Sequence, residues 1–388
     1  MIESSGGRSL ALDGVRGLAL LIVVIHNTAW IGGPSEQLAM KVYRAGSASG
    51  WVGVQLFFVL SGLLITNILV NTRASTDYFR QFYVRRALRI FPLYYVAIGV
   101  LVFVAAPLAW SSVWAESVYR HQWAFWLYAS NWTEPLVGGV LGLSHLWSLA
   151  IEEQFYLVWP AMVWWLAPRR LIWLVVGILI AAPFVRFAIL VNGLPPQAAY
   201  TFTIARIDAL AIGALLALFL RDTTLRGQLR RWLPAATLAG AALLGVLVAR
   251  TRGFHAEEVP VLIYGQSLAA LLSFCLIAWT QFLDTPQGAR VSRVLSSHAL
   301  RNLGKYSYAM YIVHAPIHVL LRDQLTPLVQ IDDTFWHLPR LLAYTVLVLG
   351  LSYAAARISW IVIEQPALRL KERWAPVSEA RQDAFTGL

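Results

Sequence analysis

Ten stretches of roughly 20 apolar residues, repeated along the whole chain, decide what this sequence can fold into. They lie near residues 12–31, 51–71, 90–110, 143–167, 171–191, 202–220, 233–249, 260–282, 303–321 and 340–363. A helix rising about 1.5 Å per residue crosses about 30 Å of hydrocarbon in such a length. The composition agrees, with 58% hydrophobic and only 13% charged residues, against roughly 25% charged in a soluble domain. The expected fold is all-α, a polytopic membrane helix bundle of ten spans. The aromatic stretch 121–132, with Trp123, Trp126 and Trp132, is too short to span and is expected at the interface. The single cysteine, Cys275, lies in an apolar run, which rules out an intrachain disulfide and a cysteine metal cluster. No metal is expected.

The net charge of +11 would suggest nucleic acid in a soluble protein, but its distribution follows the spans. Loops 73–89, 169–170, 221–231 and 284–305 together carry +12, and the loops between them −1. That alternation is the positive-inside pattern, and it places both termini in the cytoplasm and makes nucleic acid an improbable partner. The first run carries Arg16 and His26 and lacks a small-residue cleavage site, so it is expected to remain as a span rather than act as a signal peptide. No long hydrophilic stretch offers a second domain. Residues 1–365 read as one transmembrane domain and 366–388 as a short cytoplasmic tail.

Ionisable groups inside spans then single out candidate chemistry, because a charge near the bilayer centre costs at least about 2.5 kcal/mol on insertion scales. Arg16 and His26 share the first span, with Asp13 at its cytoplasmic end. His26 is either a packing histidine or a functional one, and its company favours function. The fourth span contains His145 and Ser148, the adjacent carboxylates Glu152 and Glu153, and Tyr156. Two neighbouring carboxylates cannot share a helix face, so one is expected toward the bundle interior, where a carboxylate beside an imidazole would make a general-base pair. Arg85, Arg86 and Arg89 lie in a basic segment rich in aromatics. They are either ordinary positive-inside charge or a surface for a phosphorylated cofactor, with Arg86 and Arg89 on one face. Arg186, Arg206, Asp208, Arg357 and Glu364 are expected to pair internally, and His314 to be a satisfied core histidine. No G-x-S-x-G elbow, Walker loop, H-E-x-x-H or G-x-G-x-x-G is present.

Five motifs in order then resemble acyltransferase family 3, integral-membrane enzymes that O-acylate bacterial glycans and related acceptors. They are Leu12-Asp13-Gly14-Val15-Arg16-Gly17 leading to His26, Gly53 to Gly62, Phe82 to Tyr95, Trp147 to Tyr156, and Tyr306 to His314. The resemblance implies acyl-CoA, by preference acetyl-CoA, as donor and a cell-envelope glycan or similar hydroxyl as acceptor, at the bacterial cytoplasmic membrane. It implies His26 as catalytic base with Arg16 essential and Asp13 beside it, Glu152 as the acidic partner, and Arg85, Arg86 and Arg89 as the cofactor surface. Glu153, Tyr156, Ser148 and His314 would support substrate or structure. One departure stands out. The family's usual spacing has ten residues between the arginine and the histidine, whereas here there are nine and Asn27 takes the family position. A one-residue slip turns a helical side chain by about 100°. The rival class is a secondary transporter or flippase, which would predict matched halves with broken helices, and these are not apparent. Relatives often append an esterase-like domain, which is not expected within these residues.

Overall fold

The computed structural model describes residues 10–29, 31, 37–108, 112–140, 142–329 and 336–376. Among them there is no strand, and the helices in order are α1 (Leu10–Thr28), α2 (Leu38–Ala48), α3 (Val52–Thr72), α4 (Tyr78–Val100), α5 (Ala106–Leu108), α6 (Ser112–Trp126), α7 (Ser130–Val137), α8 (Trp147–Trp165) and α9 (Pro168–Val191). There follow α10 (Pro196–Thr201), α11 (Thr203–Arg221), α12 (Thr223–Thr251), α13 (Gln266–Trp279), α14 (Pro286–Leu295), α15 (His298–Val329), α16 (His337–Ser359) and α17 (Gln365–Trp374). Local signals set several starts. Pro168 opens α9, and the Asp222 carboxylate caps α12 by accepting from the N–H groups of Thr224 and Leu225 at 2.9 Å each.

The centre of the bundle is α1, α3, α11 and α15. Glycines let their backbones meet. A Cβ on Gly17 would run into the Leu300 carbonyl, and one on Gly304 into the Asp13 carbonyl, so α1 and α15 cross in contact. Gly62 and Gly213 do the same for α3 and α11, against the carbonyls of Leu210 and Val59. In a membrane, where lipid is as apolar as leucine, such close crossings are a main source of helix association. By contrast α9, α12 and α16 expose Trp173, Phe184, Leu238, Val246 and Val346, apolar surface that suits lipid and not water.

Eight helical segments among the described residues are long and apolar enough to cross a membrane, and the protein is a polytopic membrane helix bundle. The two further spans expected from sequence are also helical, as α8 with 19 residues and α15 with 32. They fall short in apolarity because α8 carries Glu152, Glu153 and Gln154, and α15 carries Asn302, Lys305 and three histidines. Residues 121–132 form no span and fall on α6 and α7. Of the expected tail, α17 covers the first part, and residues 377–388 lie outside the described residues.

Candidate active site in two cavities

The polar groups of the bundle surround two separate cavities. The first, about 130 Å³, is lined by Arg16, Ser61, Arg86, Arg89, Glu152, Glu153, Tyr156, Ser148 and Tyr311, with Phe57 and Phe58 among its apolar walls. Its side chains come from α1, α3, α4, α8 and α15, all firm helices, and they neutralise one another. Arg16 Nη1 donates to Asp13 Oδ1 at 2.9 Å. Tyr156 Oη donates to Glu152 Oε2 at 3.1 Å and pairs with the Ser61 hydroxyl, while the Arg86 guanidinium lies 4.4 Å from the Tyr156 ring centre. The buried Arg86 Nε has no hydrogen-bond partner among the described residues. Arg89 pairs with Glu364 at 3.8 Å, and Ser359 Oγ donates to the same carboxylate.

Helical spacing sorts the three arginines. Arg86 and Arg89, three apart, share the cavity face, whereas Arg85 donates from Nε and Nη2 to the Ala375 carbonyl at 3.1 and 2.6 Å, beyond the end of α17. Of the three arginines expected to form a cofactor surface, Arg86 and Arg89 line the cavity, and Arg85 fastens the segment after α17.

His26 belongs to the second cavity, of about 550 Å³, with Gln197, Tyr200, His255 and Glu257. Its Nδ1–H donates to the Ser47 carbonyl at 2.8 Å, which leaves the lone pair on Nε2. Ser47, rather than Glu152, thus holds the tautomer, and no hydrogen bond joins His26 to Glu152 or Glu153 among the described residues. Gly50 presses on the imidazole, since a Cβ there would collide with that of His26. The one-residue slip has a visible outcome. Asn27 points elsewhere, and its Nδ2 donates to His314 Nε2 at 2.8 Å.

His314, as expected, is a satisfied core histidine, fully buried, with Nδ1–H donating to the Tyr311 carbonyl at 2.7 Å. His145 donates from Nε2 to the Ile312 carbonyl at 3.2 Å instead of pairing with a carboxylate. Ser148 Oγ and Tyr311 Oη lie 2.6 Å apart in the wall of the charged cavity. Between the cavities stands a buried layer. Trp147 packs on Phe58 of the first cavity with centroids 6.1 Å apart, and on Tyr200 of the second at 5.1 Å. Arg186 of α9 pairs with Asp208 at 3.0 Å with both side chains buried, and no hydrogen bond joins Asp208 to its near neighbour Arg206 among the described residues. Sequence reading overlooked Ser61, Tyr200 and Glu257 as lining residues. Ser61 sat in a recognisable motif, but Tyr200 and Glu257 lie in loop-adjacent stretches with no signal of their own. No group of histidine, cysteine and carboxylates placed to hold a metal occurs among the described residues.

Comparison with known proteins gives these cavities a context. Residues 9–357 match the family described as "Acyltransferase domain". The peptidoglycan O-acetyltransferase OatA of Listeria monocytogenes is 30% identical over 92% of this chain and 55% of its own length. The O-acetyltransferase OatA of Staphylococcus aureus is 27% identical over 80% of this chain and 51% of its own. The chain thus spans about half the length of the curated relatives it matches. No solved structure matches it. With the match running through α1, which carries Arg16 and His26, and on through both cavities to α16, the chain belongs to acyltransferase family 3.

Proposed function

We propose that the protein is a membrane O-acyltransferase that moves an acyl group, by preference acetyl, from acyl-CoA to a hydroxyl of a cell-envelope glycan such as peptidoglycan. The observation that carries this reading is the division of polar groups into a charged cavity that holds Arg86 and Arg89 and a histidine cavity, on either side of one thin layer. Arg86, with a donor to spare, and Arg89 supply the charge and the fork geometry that CoA phosphates require. By the positive-inside pattern this cavity opens to the cytoplasm of a bacterial inner membrane, where acyl-CoA is found. The pantetheine arm would then bring its thioester up past Ser148 and Tyr311 toward the layer.

The acceptor enters the wider cavity from the other side. There Gln197, Tyr200, His255 and Glu257 offer the mixture of hydrogen-bonding groups and aromatic surface that suits a sugar. His26 Nε2 takes the hydroxyl proton, its availability secured by the Ser47 carbonyl on the opposite nitrogen. Glu152, bonded to Tyr156 beside Arg86, balances charge in the donor cavity. Asp13 holds the Arg16 guanidinium at that cavity's edge.

The test is transfer of radiolabelled acetyl from acetyl-CoA to glycan by membranes containing the full chain. His26→Ala is expected to lower transfer by about 10²- to 10⁴-fold, the usual worth of a positioned general base, with acetyl-CoA binding retained. Wild-type transfer by that variant would remove the base. A transporter or flippase would move the acceptor without any label becoming covalently attached to it.

A further inference from the structure

The layer between the cavities contains a cation whose presence neither cavity explains. Arg206, in the first turn of α11, is fully buried. Its guanidinium carbon lies 5.7 Å from the ring centre of Phe58, which lines the charged cavity, and 5.0 Å from that of Tyr200, which lines the histidine cavity. Trp147 closes a third side at 5.4 Å. Nη1 donates to Gln266 Oε1, but Nε and Nη2 have no hydrogen-bond partner among the described residues.

The nearest carboxylate in sequence is already engaged. Asp208 Oδ2 accepts from Arg186 Nη1 at 3.0 Å and from Ser267 Oγ at 2.6 Å, and Oδ1 accepts from the Ala209 N–H at 3.0 Å. Aromatic faces attract a guanidinium, yet they do not replace hydrogen-bond acceptors, and a buried charge with unmet donors is costly to fold. The two unmet donors also lie together. Nε–H and the facing Nη2–H form one edge of the guanidinium plane, the edge by which arginine grips a carboxylate or similar oxyanion with two parallel bonds.

We propose that Arg206 is a catalytic residue whose Nε–H and Nη2–H edge receives the carbonyl oxygen of the acyl thioester as that oxygen gains negative charge. The proposal rests on the acyl-transfer reading above. The acceptor oxygen forms a bond to the thioester carbon, its proton passes to His26 Nε2, and the carbonyl π pair moves onto the oxygen held by Arg206. Collapse re-forms the carbonyl and breaks the C–S bond, and the leaving thiolate takes the proton back from His26. Phe58, Trp147 and Tyr200 part to let the thioester reach that edge, so the two cavities join only during transfer. A fixed cation placed where charge develops is the arrangement that electrostatic catalysis requires.

The experiment uses the purified full chain in lipid nanodiscs, with acetyl-CoA and a peptidoglycan fragment, and compares Arg206→Gln, Arg206→Lys and His26→Ala. Both arginine variants are expected to lose about 10²- to 10³-fold in kcat, with KM for donor and acceptor within about twofold, because lysine keeps the charge but not the two-donor edge. Calorimetric binding of acetyl-CoA reports that each variant is folded. Should Arg206→Gln fail that check, Arg206→Lys carries the same test. A raised acceptor KM with kcat intact would mean that Arg206 holds a permanent anionic group of the acceptor, and would overturn the proposal. Full activity of either arginine variant would overturn it too. If His26→Ala is inactive while Arg206→Gln is fully active, only the oxyanion role is lost, whereas no transfer by the unaltered chain removes the acyl-transfer reading itself.

Discussion

The two cavities differ in how they are made. The charged cavity is small, about 130 Å³, and its lining comes from the middles of long helices whose side chains pair with each other. The histidine cavity is about four times larger, about 550 Å³, and draws Pro196, Gln197 and Tyr200 from the short helix α10, and His255, Ala256 and Glu257 from the stretch after α12. On the proposed reading, the contrast is a division of labour. A donor with one invariant nucleotide handle suits a rigid, preorganised cleft, and a bulky polymeric acceptor suits an open one built from adaptable connections.

That contrast breaks most clearly on the arginines. Replacing Arg86 and Arg89 together by alanine is expected to weaken acetyl-CoA binding by roughly 100-fold or more, since each hydrogen bond to a charged group is worth about 1.5–3 kcal/mol. Arg85→Ala, whose side chain serves the Ala375 carbonyl, is expected to leave it within about twofold. Equal losses by calorimetry in the two variants would erase the distinction between cavity-facing and anchoring arginines.

A smaller effect is expected on the other side. Glu257→Gln or Gln197→Ala should raise acceptor KM by about 3- to 10-fold, the worth of a neutral hydrogen bond, and leave acetyl-CoA binding unchanged. A change in donor affinity instead would show that the cavities are not separate in function.

The smallest effect concerns Glu134 in α7, outside the spans. Burial pushes its carboxyl up from 4.5 to about 7, and the Ser144 hydroxyl holds it back in part. The folded chain therefore holds this proton more tightly than the unfolded one. The resulting stability is complete below pH 4.5 and is lost as pH rises toward about 7. Melting temperature is expected to fall slightly between pH 5 and pH 8, and Glu134→Gln to flatten that slope. An unaltered slope in the variant would assign it to another group.

Much of this arrangement was readable residue by residue. The spacing of Arg86 and Arg89 put them on one face, and the one-residue slip that leaves Asn27 at the family position and His26 before it implied side chains turned about 100° apart, as they are toward His314 and Ser47. Partners were harder. The Ser47 carbonyl is 21 residues from His26 in a stretch without any motif, and Arg186, the partner of Asp208, lies 22 residues before it on another helix. Backbone acceptors and partners on other helices leave no mark in a local pattern. The runs at 143–167 and 303–321 were also readable, although α8 and α15 are less apolar than the eight other spans because of polar residues such as Glu152, Glu153 and Lys305.

The sequence by itself determined the helices, the membrane as their solvent and the family, since apolar run length, loop charge and motif order are all local properties. Only the tertiary structure decided that His26 and the arginines line different cavities, and that Arg206 stands between them with one edge unmet. The reason is rotational. Close crossings at Gly17 with Gly304 and at Gly62 with Gly213 set how each helix is turned about its axis, and that turn, not the order of residues, selects which side chains meet.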